Sequence, residues 1–330
     1  MGGLDLITPC RNRGEHLLES LPSWLACPQV DRVLIVDFSS TPGLLPLFEH
    51  VDPERVVLIR VDAEPLWRQG RAQNVGLRYS RAPFILKLDA DIQLVTIEPC
   101  LEAMRREPNL FFKGFSKLGS SSGSCLFRRN QARGCGGWHD QMSGWGGDDV
   151  DFYQRLRRAG QRAAVFQADH FRETTQPMEG KNSEAPRLDS VLLKDQPKLV
   201  CQPRFTGVRN TLLSVLQKQN RRRALRYHYA VNPSQPQQVL ASLKERSKGQ
   251  MVLGRYAIEL ANILSIHFYR EDLHTNAILK QEAFQRFREL YQLPRSKSRQ
   301  DGAELLASMP DRLNQLRKLA RQLDIATLPD

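Results

Sequence analysis

The chain reads as an α/β protein, a mostly parallel sheet flanked by helices and followed by a mainly α-helical carboxyl-terminal region. Three observations carry that expectation. Short apolar runs alternate with amphipathic helical stretches in the first half, acidic and arginine-bearing loops follow those runs, and helical patterns take over beyond residue 200. Leu4-Asp5-Leu6-Ile7-Thr8 predicts a buried strand, and Glu15 to Leu25 an amphipathic helix. Arg32 to Asp37 predicts the second strand, closed by the turn-rich Ser39-Ser40-Thr41-Pro42-Gly43. Val56 to Val61 follows as the third strand, Gln69 to Tyr79 as a helix and Pro83 to Leu88 as the fourth strand. Leu110 to Phe115 and Ser124 to Arg128 predict short strands, Gly134 to Gly147 a glycine-rich loop, and Val150 to Ala159 a helix ended by Gly160. Helical patterns then cover Gln235 to Ser247, Met251 to Phe268, Ala277 to Leu290 and Ala303 to Leu323. The expected organisation is one domain over residues 1–200, with a connector at 174–203 rich in Pro, Ser, Lys and Asp, and a basic helical domain over 201–330.

Composition narrows the function classes. The 330 residues are 41% hydrophobic and 25% charged, an ordinary globular balance rather than a disordered or fibrous one. No apolar run reaches the roughly 18 residues a membrane span needs, and the first strand begins almost at Met1, so neither a span nor a signal peptide is expected. Cys10, Cys27, Cys100, Cys125, Cys135 and Cys201 are scattered without a CxxC pair, which points to free thiols and a cytoplasmic protein. The net charge of +12 is unevenly placed: residues 1–200 hold 26 Lys and Arg against 25 Asp and Glu, whereas 201–330 hold 22 against 11. A basic tail of that kind attracts anionic partners. Arg221-Arg222-Arg223, with Lys218, Arg209 and Arg226, is its densest patch and suits a solvated helix face or the inner surface of a membrane. No helix-turn-helix, RNA-recognition or OB pattern accompanies it, so nucleic acid is the least expected partner.

Two constellations carry chemistry. Asp89-Ala90-Asp91 leaves the carboxyl end of the fourth strand, the edge at which parallel sheets bind ligands, and two carboxylates there suit a divalent cation shared with phosphate oxygens. Solvated aspartates in a turn are the bland account of such a pair. Gly144-Trp145-Gly146-Gly147-Asp148-Asp149-Val150-Asp151 places three carboxylates at a helix entrance behind a glycine-rich loop. Capping explains one aspartate. The glycines and the tryptophan fit a backbone drawn close to a ligand, with Trp145 as a stacking wall.

With these in place the sequence resembles the GT-A glycosyltransferases, and within them the family 2 enzymes and the β-1,4-galactosyltransferases with their Gly-Trp-Gly-Gly-acidic-Asp run. The likeness rests on Pro9 to Leu17, Trp67 to Gly76, Asp89-Ala90-Asp91, and Gly144 to Asp151 with Arg155, and covers residues 4–173. The resemblance implies a GT-A fold and transfer of a hexose from a nucleotide-sugar donor, a UDP-sugar first among them, to a glycan or glycoconjugate acceptor. It implies Arg11 and Arg13 at the nucleotide, Asp37 near base or ribose, Trp67 near the base, and Arg71 where relatives carry Lys. Phe38 replaces a second Asp and Gln69 an Arg, which blurs donor identity. Asp91 becomes the main metal ligand, Asp89 a water-mediated ligand or ribose contact, and His170 a further ligand. A carboxylate and imidazole shell favours Mn²⁺, and an all-oxygen shell leaves Mg²⁺ equally suited. Asp149 aligns with the general base, Trp145 and Gly147 with the acceptor or sugar site, and Asp148 with donor-sugar hydroxyls or the helix cap. Two other classes stay open on residues alone: a nucleotidyltransferase, and a non-enzymatic binder of anionic polymers or nucleic acid built on the basic tail.

Overall fold

The computed structural model describes residues 3–64, 66–114, 123–144, 146–174, 203–216 and 226–244, together with 258, 261, 262 and 265. Trp145, Arg221 to Arg223, most of the connector and nearly all of the expected helices beyond 250 lie outside the described residues. In chain order the first half gives β1 (Leu4–Cys10), α1 (Gly14–Ala26), β2 (Val30–Phe38), β3 (Val56–Val61), α2 (Gln69–Tyr79), β4 (Phe84–Lys87), β5 (Ile92–Leu94), α3 (Glu98–Arg106) and β6 (Leu110–Lys113). Then come β7 (Cys125–Arg128), α4 (Arg129–Gly134), α5 (Asp148–Arg158), β8 (Arg162–Val165), β9 (Phe171–Glu173), α6 (Pro203–Leu216), β10 (Tyr227–Asn232) and β11 (Gln235–Leu243).

The main sheet has the order β10-β11-β3-β2-β1-β4-β7-β6-β8, and β5 pairs with β9 in a second, two-stranded sheet. β11, β3, β2, β1 and β4 run parallel, with antiparallel pairs at β10–β11, β4–β7 and β6–β7. Strand alternation fills both faces. Leu4, Leu6, Val33 and Ile35 pack with Leu17, Leu21 and Trp24 of α1 in one core cluster, whereas Ile7, Leu34 and Val36 pack with Val75 and Leu77 of α2 and Phe152 and Leu156 of α5 in the other. Burial on both sides explains why β1 and β2 read as continuous apolar runs.

The segment from Gln235 to Ser247 corrects a sequence expectation: Gln235–Leu243 is strand β11, not a helix. Val239, Leu240 and Leu243 suit a helical stripe, but Tyr227, Tyr229 and Val231 alternate just before the Asn232-Pro233-Ser234 turn, the signature of a hairpin. Pairing of Gln238, Val239 and Leu240 with Leu58, Ile59 and Arg60 of β3 extends the sheet. The carboxyl-terminal region thus returns two strands to the α/β unit.

Asp5 shows how polar groups lock this sheet. Its carboxylate, 1% exposed, accepts Arg32 Nε and Nη2 at 3.1 and 2.7 Å and the backbone N–H groups of Arg81 and Ala82 at 2.7 and 3.1 Å. Removing it strands a guanidinium and two N–H groups, so Asp5→Ala is expected to cost about 3–5 kcal/mol of stability, read from urea denaturation.

The described residues form two compact units. One holds those of Met1–Asp140, Asp148–Lys181 and Arg223–Lys244; the other holds those of Gln141–Gly147, Asn182–Arg222 and Glu245–Asp330. No helix among the described residues is long and apolar enough to cross a membrane.

Candidate functional site

β4 delivers its carboxyl end to the turn Leu88-Asp89-Ala90-Asp91, and α1 pins that turn from beneath. Ser20 Oγ donates to the Ala90 carbonyl and Trp24 Nε1 to the Ile92 carbonyl, both at 2.8 Å. Asp89 Oδ1 accepts Gln69 Nε2 at 3.2 Å and Lys87 Nζ at 2.9 Å. Asp91 Oδ2 lies 3.5 Å from Arg13 Nη1. The backbone therefore fixes both carboxylates, and each faces a cation of the chain.

Asp148 and Asp149 open α5, where the helix dipole favours negative charge. Asp149 Oδ1 accepts Trp138 Nε1 at 3.3 Å, and its Oδ2 lies 3.6 Å from Lys87 Nζ. Burial pushes the Asp149 carboxyl up to about 7 against the lowering pull of Lys87, with Asp148 and Asp89 adding to the rise. Burial likewise raises Asp148, whose buried Oδ2 has no hydrogen-bond partner among the described residues. Lys87 is fully buried; burial alone would lower its ammonium, but Asp149 and Asp89 raise it. A carboxylate that titrates near neutrality beside a permanent cation is equipped to take a proton. Asp151 does something else: it pairs with Arg155 Nη2 at 2.6 Å, and Arg155 reaches the Cys135 and Gly137 carbonyls, tying α5 to that turn.

The loops after β1, β2 and β3 are laced together. Asn12, at φ 56°, donates its N–H to Ser40 Oγ and accepts the Thr41 N–H at Oδ1. Arg11 Nη1 donates to the Glu64 carbonyl at 3.2 Å. Arg13 has a buried Nη2 with no hydrogen-bond partner among the described residues, a donor fitted to a phosphate oxygen. Trp67 meets Phe38 edge to face at 5.8 Å, at the end of β2.

Asp37 and Arg71 both have charged partners within the chain. Asp37 is fully buried, and its oxygens accept the N–H groups of Ser40 and Leu44 and Arg60 Nη1 at 3.0, 3.1 and 2.7 Å, which anchors the β2 loop. Arg71 is buried and ion-paired with Glu64, the residue whose carbonyl Arg11 also holds.

His170 is buried. Its Nδ1 is 3.1 Å from the Gln167 backbone, its Nε2 is 3.4 Å from Cys100 Sγ, and its ring packs beside Phe166 and Phe171. Thr174 N–H bonds the Asp91 carbonyl, and His170, one residue beyond the Leu94–Phe171 pair, accepts the Val95 N–H at its carbonyl. Among the described residues no group of three or more His, Cys, Asp and Glu gathers for a metal. Asp89 and Asp91 are oxygen donors of the kind a hard divalent cation takes together with phosphate oxygens and water.

Sequence reasoning passed over Lys87, Trp138 and the residues that hold the glycine-rich loop. Lysine in an otherwise apolar buried strand was the available signal, since lysine is almost never fully buried unless paired. In the second unit, Asn210 of α6 donates Nδ2 to the Gly146 and Ser143 carbonyls at 2.7 and 3.3 Å, and Arg209 donates to the Ser143 carbonyl and hydroxyl. Gly147, at φ 89°, sits so close that a Cβ would come within 2.9 Å of Asn210 Cβ. Asn210→Ala is expected to lower stability by about 1–3 kcal/mol, with Asn210→Asp no better because a carboxylate has no N–H to give; denaturation midpoints check this.

Carboxylates at the carboxyl ends of parallel strands, beside arginines able to bind phosphate, define an α/β group-transfer enzyme. The sequence matches the family described as glycosyl transferase family 2 over residues 5–176, more than half of the chain, and the protein belongs to that family. It is a glycosyltransferase. Solved structures similar to it include the Pyrobaculum calidifontis mannosyltransferase PcManGT in complex with GDP-Man and Mn²⁺, 14% identical over 98% of this chain and 84% of that one, with a TM-score of 0.48. The catalytic domain of Drosophila β1,4-galactosyltransferase 7 in complex with xylobiose is 15% identical over 77% of this chain and 99% of its own, with a TM-score of 0.40. S. aureus TarS in complex with UDP-GlcNAc is 15% identical over 65% of this chain and 66% of its own, with a TM-score of 0.45. A search of curated proteins found no match.

Proposed function

We propose that the protein is an inverting glycosyltransferase that moves a hexose from a nucleoside-diphosphate sugar, a UDP-sugar first among them, to a hydroxyl of a glycan or glycoconjugate. The observation that carries this reading is the convergence of Asp89 Oδ1 and Asp149 Oδ2 on one ammonium, 2.9 and 3.6 Å away. Asp149 takes the proton of the acceptor hydroxyl as that oxygen bonds to the anomeric carbon. The bond from that carbon to the diphosphate oxygen breaks as the new one forms, the nucleoside diphosphate departs from the opposite face, and the single displacement inverts the centre. Arg13 offers its buried Nη2 to a phosphate oxygen, and Arg11 orders the loop beside it through the Glu64 carbonyl. A Mn²⁺ or Mg²⁺ held between Asp89, Asp91 and the diphosphate would offset the charge that builds on the leaving group. The Gly-Trp-Gly-Gly-Asp-Asp run belongs to the same proposal, with Trp145, Gly147 and Asp148 serving acceptor or sugar.

The proposal includes a cytoplasmic site of action, with the basic 201–330 region meeting an anionic membrane surface. Its support is the free thiols of Cys10, Cys27, Cys100, Cys125 and Cys135 and the excess of 22 basic over 11 acidic residues in that region.

A thermal-shift screen of nucleoside diphosphates with and without Mn²⁺ or Mg²⁺ tests the donor site. One nucleotide is expected to stabilise the protein in a metal-dependent way, by about 2.7 kcal/mol at a hundredfold excess over its Kd. Indifference to every nucleoside diphosphate, with either metal, sinks the reading.

A further inference from the structure

Lys87 is a charged residue where β4 calls for an apolar one. Strand alternation puts it on the face of Ile85, whose neighbours are the apolar side chains that pack against α2 and α5. A lysine buried there carries a desolvation cost that a leucine or methionine would avoid, and a buried ion pair is seldom the cheaper way to stabilise a fold. Its three N–H groups face three acceptors: the Gly123 carbonyl at 2.8 Å, Asp89 Oδ1 at 2.9 Å and Asp149 Oδ2 at 3.6 Å. A Cβ built on Gly123 would come within 2.7 Å of Asp89 Oδ2, 3.0 Å of Lys87 Nζ and 3.2 Å of Asp149 Oδ2. Only a hydrogen fits at that corner, so the three charged groups and one backbone turn form a single closed cluster.

We propose that Lys87 is a positioning residue of the transfer reaction, setting the distance and direction between the base Asp149 and the donor-side carboxylate Asp89. The inference rests on the reading of Asp149 as the base. With Oδ1 held by Trp138 Nε1 and Oδ2 facing Lys87, the carboxylate of Asp149 is restrained from rotating, which leaves its remaining lone pairs aimed for an acceptor hydroxyl. The Gly123 carbonyl fixes the ammonium to the backbone, so the donor site and the base are referenced to one rigid point. An apolar residue at 87 leaves Asp89, Asp148 and Asp149 close together with no cation between them. Like charges then push the base away from the donor.

Lys87→Gln and Lys87→Arg test this in the full-length protein, with kcat measured at saturating donor and acceptor and nucleotide Kd measured in parallel with Mn²⁺. Lys87→Gln is expected to lower kcat about 100-fold with the Kd within about fivefold, since the loss falls on the base and not on nucleotide binding. The double variant with Asp149→Asn is expected to be no slower than Asp149→Asn alone, because both changes remove one function. Lys87→Arg keeps the charge but replaces a point donor with a planar fork; it is expected to fold, bind nucleotide and lose about tenfold in kcat. The proposal is overturned by a kcat for Lys87→Gln within threefold of the original, by losses in kcat and affinity that match, or by fully additive losses in the double variant. If Lys87→Gln does not fold, Lys87→Arg decides, and an unchanged kcat there overturns the proposal. Transfer that survives Asp149→Asn intact would instead sink the reading of the base, leaving the two failures distinguishable.

Discussion

Asp149→Asn is expected to abolish sugar transfer, lowering kcat by about 10²–10⁴-fold while nucleotide affinity stays within a few-fold. The substitution keeps shape and removes the proton acceptor. The amide can still accept Trp138 Nε1 at the oxygen position, so the stack of Trp138 on Phe152, with ring centroids 3.9 Å apart, should survive and the fold with it. The same carboxylate sets a pH dependence whose sign is fixed by its environment. Burial raises Asp149 to about 7, so it is protonated and inactive as a base below neutrality, and kcat/KM should climb as pH rises through about 7. An ordinary exposed aspartate would already be ionised at pH 5, and activity would then be flat from pH 5 to 8. A pH–rate profile of the unaltered enzyme separates the two, and wild-type rates in Asp149→Asn would remove it from the role of base.

Much of this site was legible because its signals are local. Strands β1 to β4 announce themselves by apolar runs, and Asp89, Asp91, Asp148 and Asp149 lie in loops and caps whose residue types carry a mechanism. What the sequence leaves open is the partner that each side chain finds once the chain is folded. Asp37 stands at the expected strand end, but its acceptors are taken by a turn and by Arg60 on the next strand, a pairing that no local pattern encodes. Arg71 pairs with Glu64, seven residues back. His170 lies beside Cys100, 70 residues away in the chain, next to the β5–β9 pair. β11 was read with the wrong period because Val239, Leu240 and Leu243 satisfy helix and strand alike, and only pairing with β3 decides. Lys87 was readable in principle, but its meaning required the two carboxylates and the Gly123 carbonyl that tertiary structure brings to it.

Asp91→Ala is expected to erase the metal dependence of nucleotide binding, with a loss of about 100-fold in affinity measured in Mn²⁺, equivalent to about 2.7 kcal/mol. On the proposed reading the chain supplies two carboxylates to a cation, so either metal alone should bind weakly to the unaltered protein, and metal and nucleotide should bind as a pair. Asp91 is 9% exposed and 3.5 Å from Arg13, so its removal has two opposed effects. The cation loses a ligand, while Arg13 loses its counter-charge and becomes a better partner for phosphate. Affinity without metal should therefore hold steady or rise slightly in the variant, even as affinity with metal collapses to the same value. Calorimetric titrations of nucleoside diphosphate with and without Mn²⁺ for both proteins close the cycle. A Mn²⁺ increment of equal size in Asp91→Ala and the unaltered protein would place the cation elsewhere and leave Asp91 as no more than a counter-ion to Arg13.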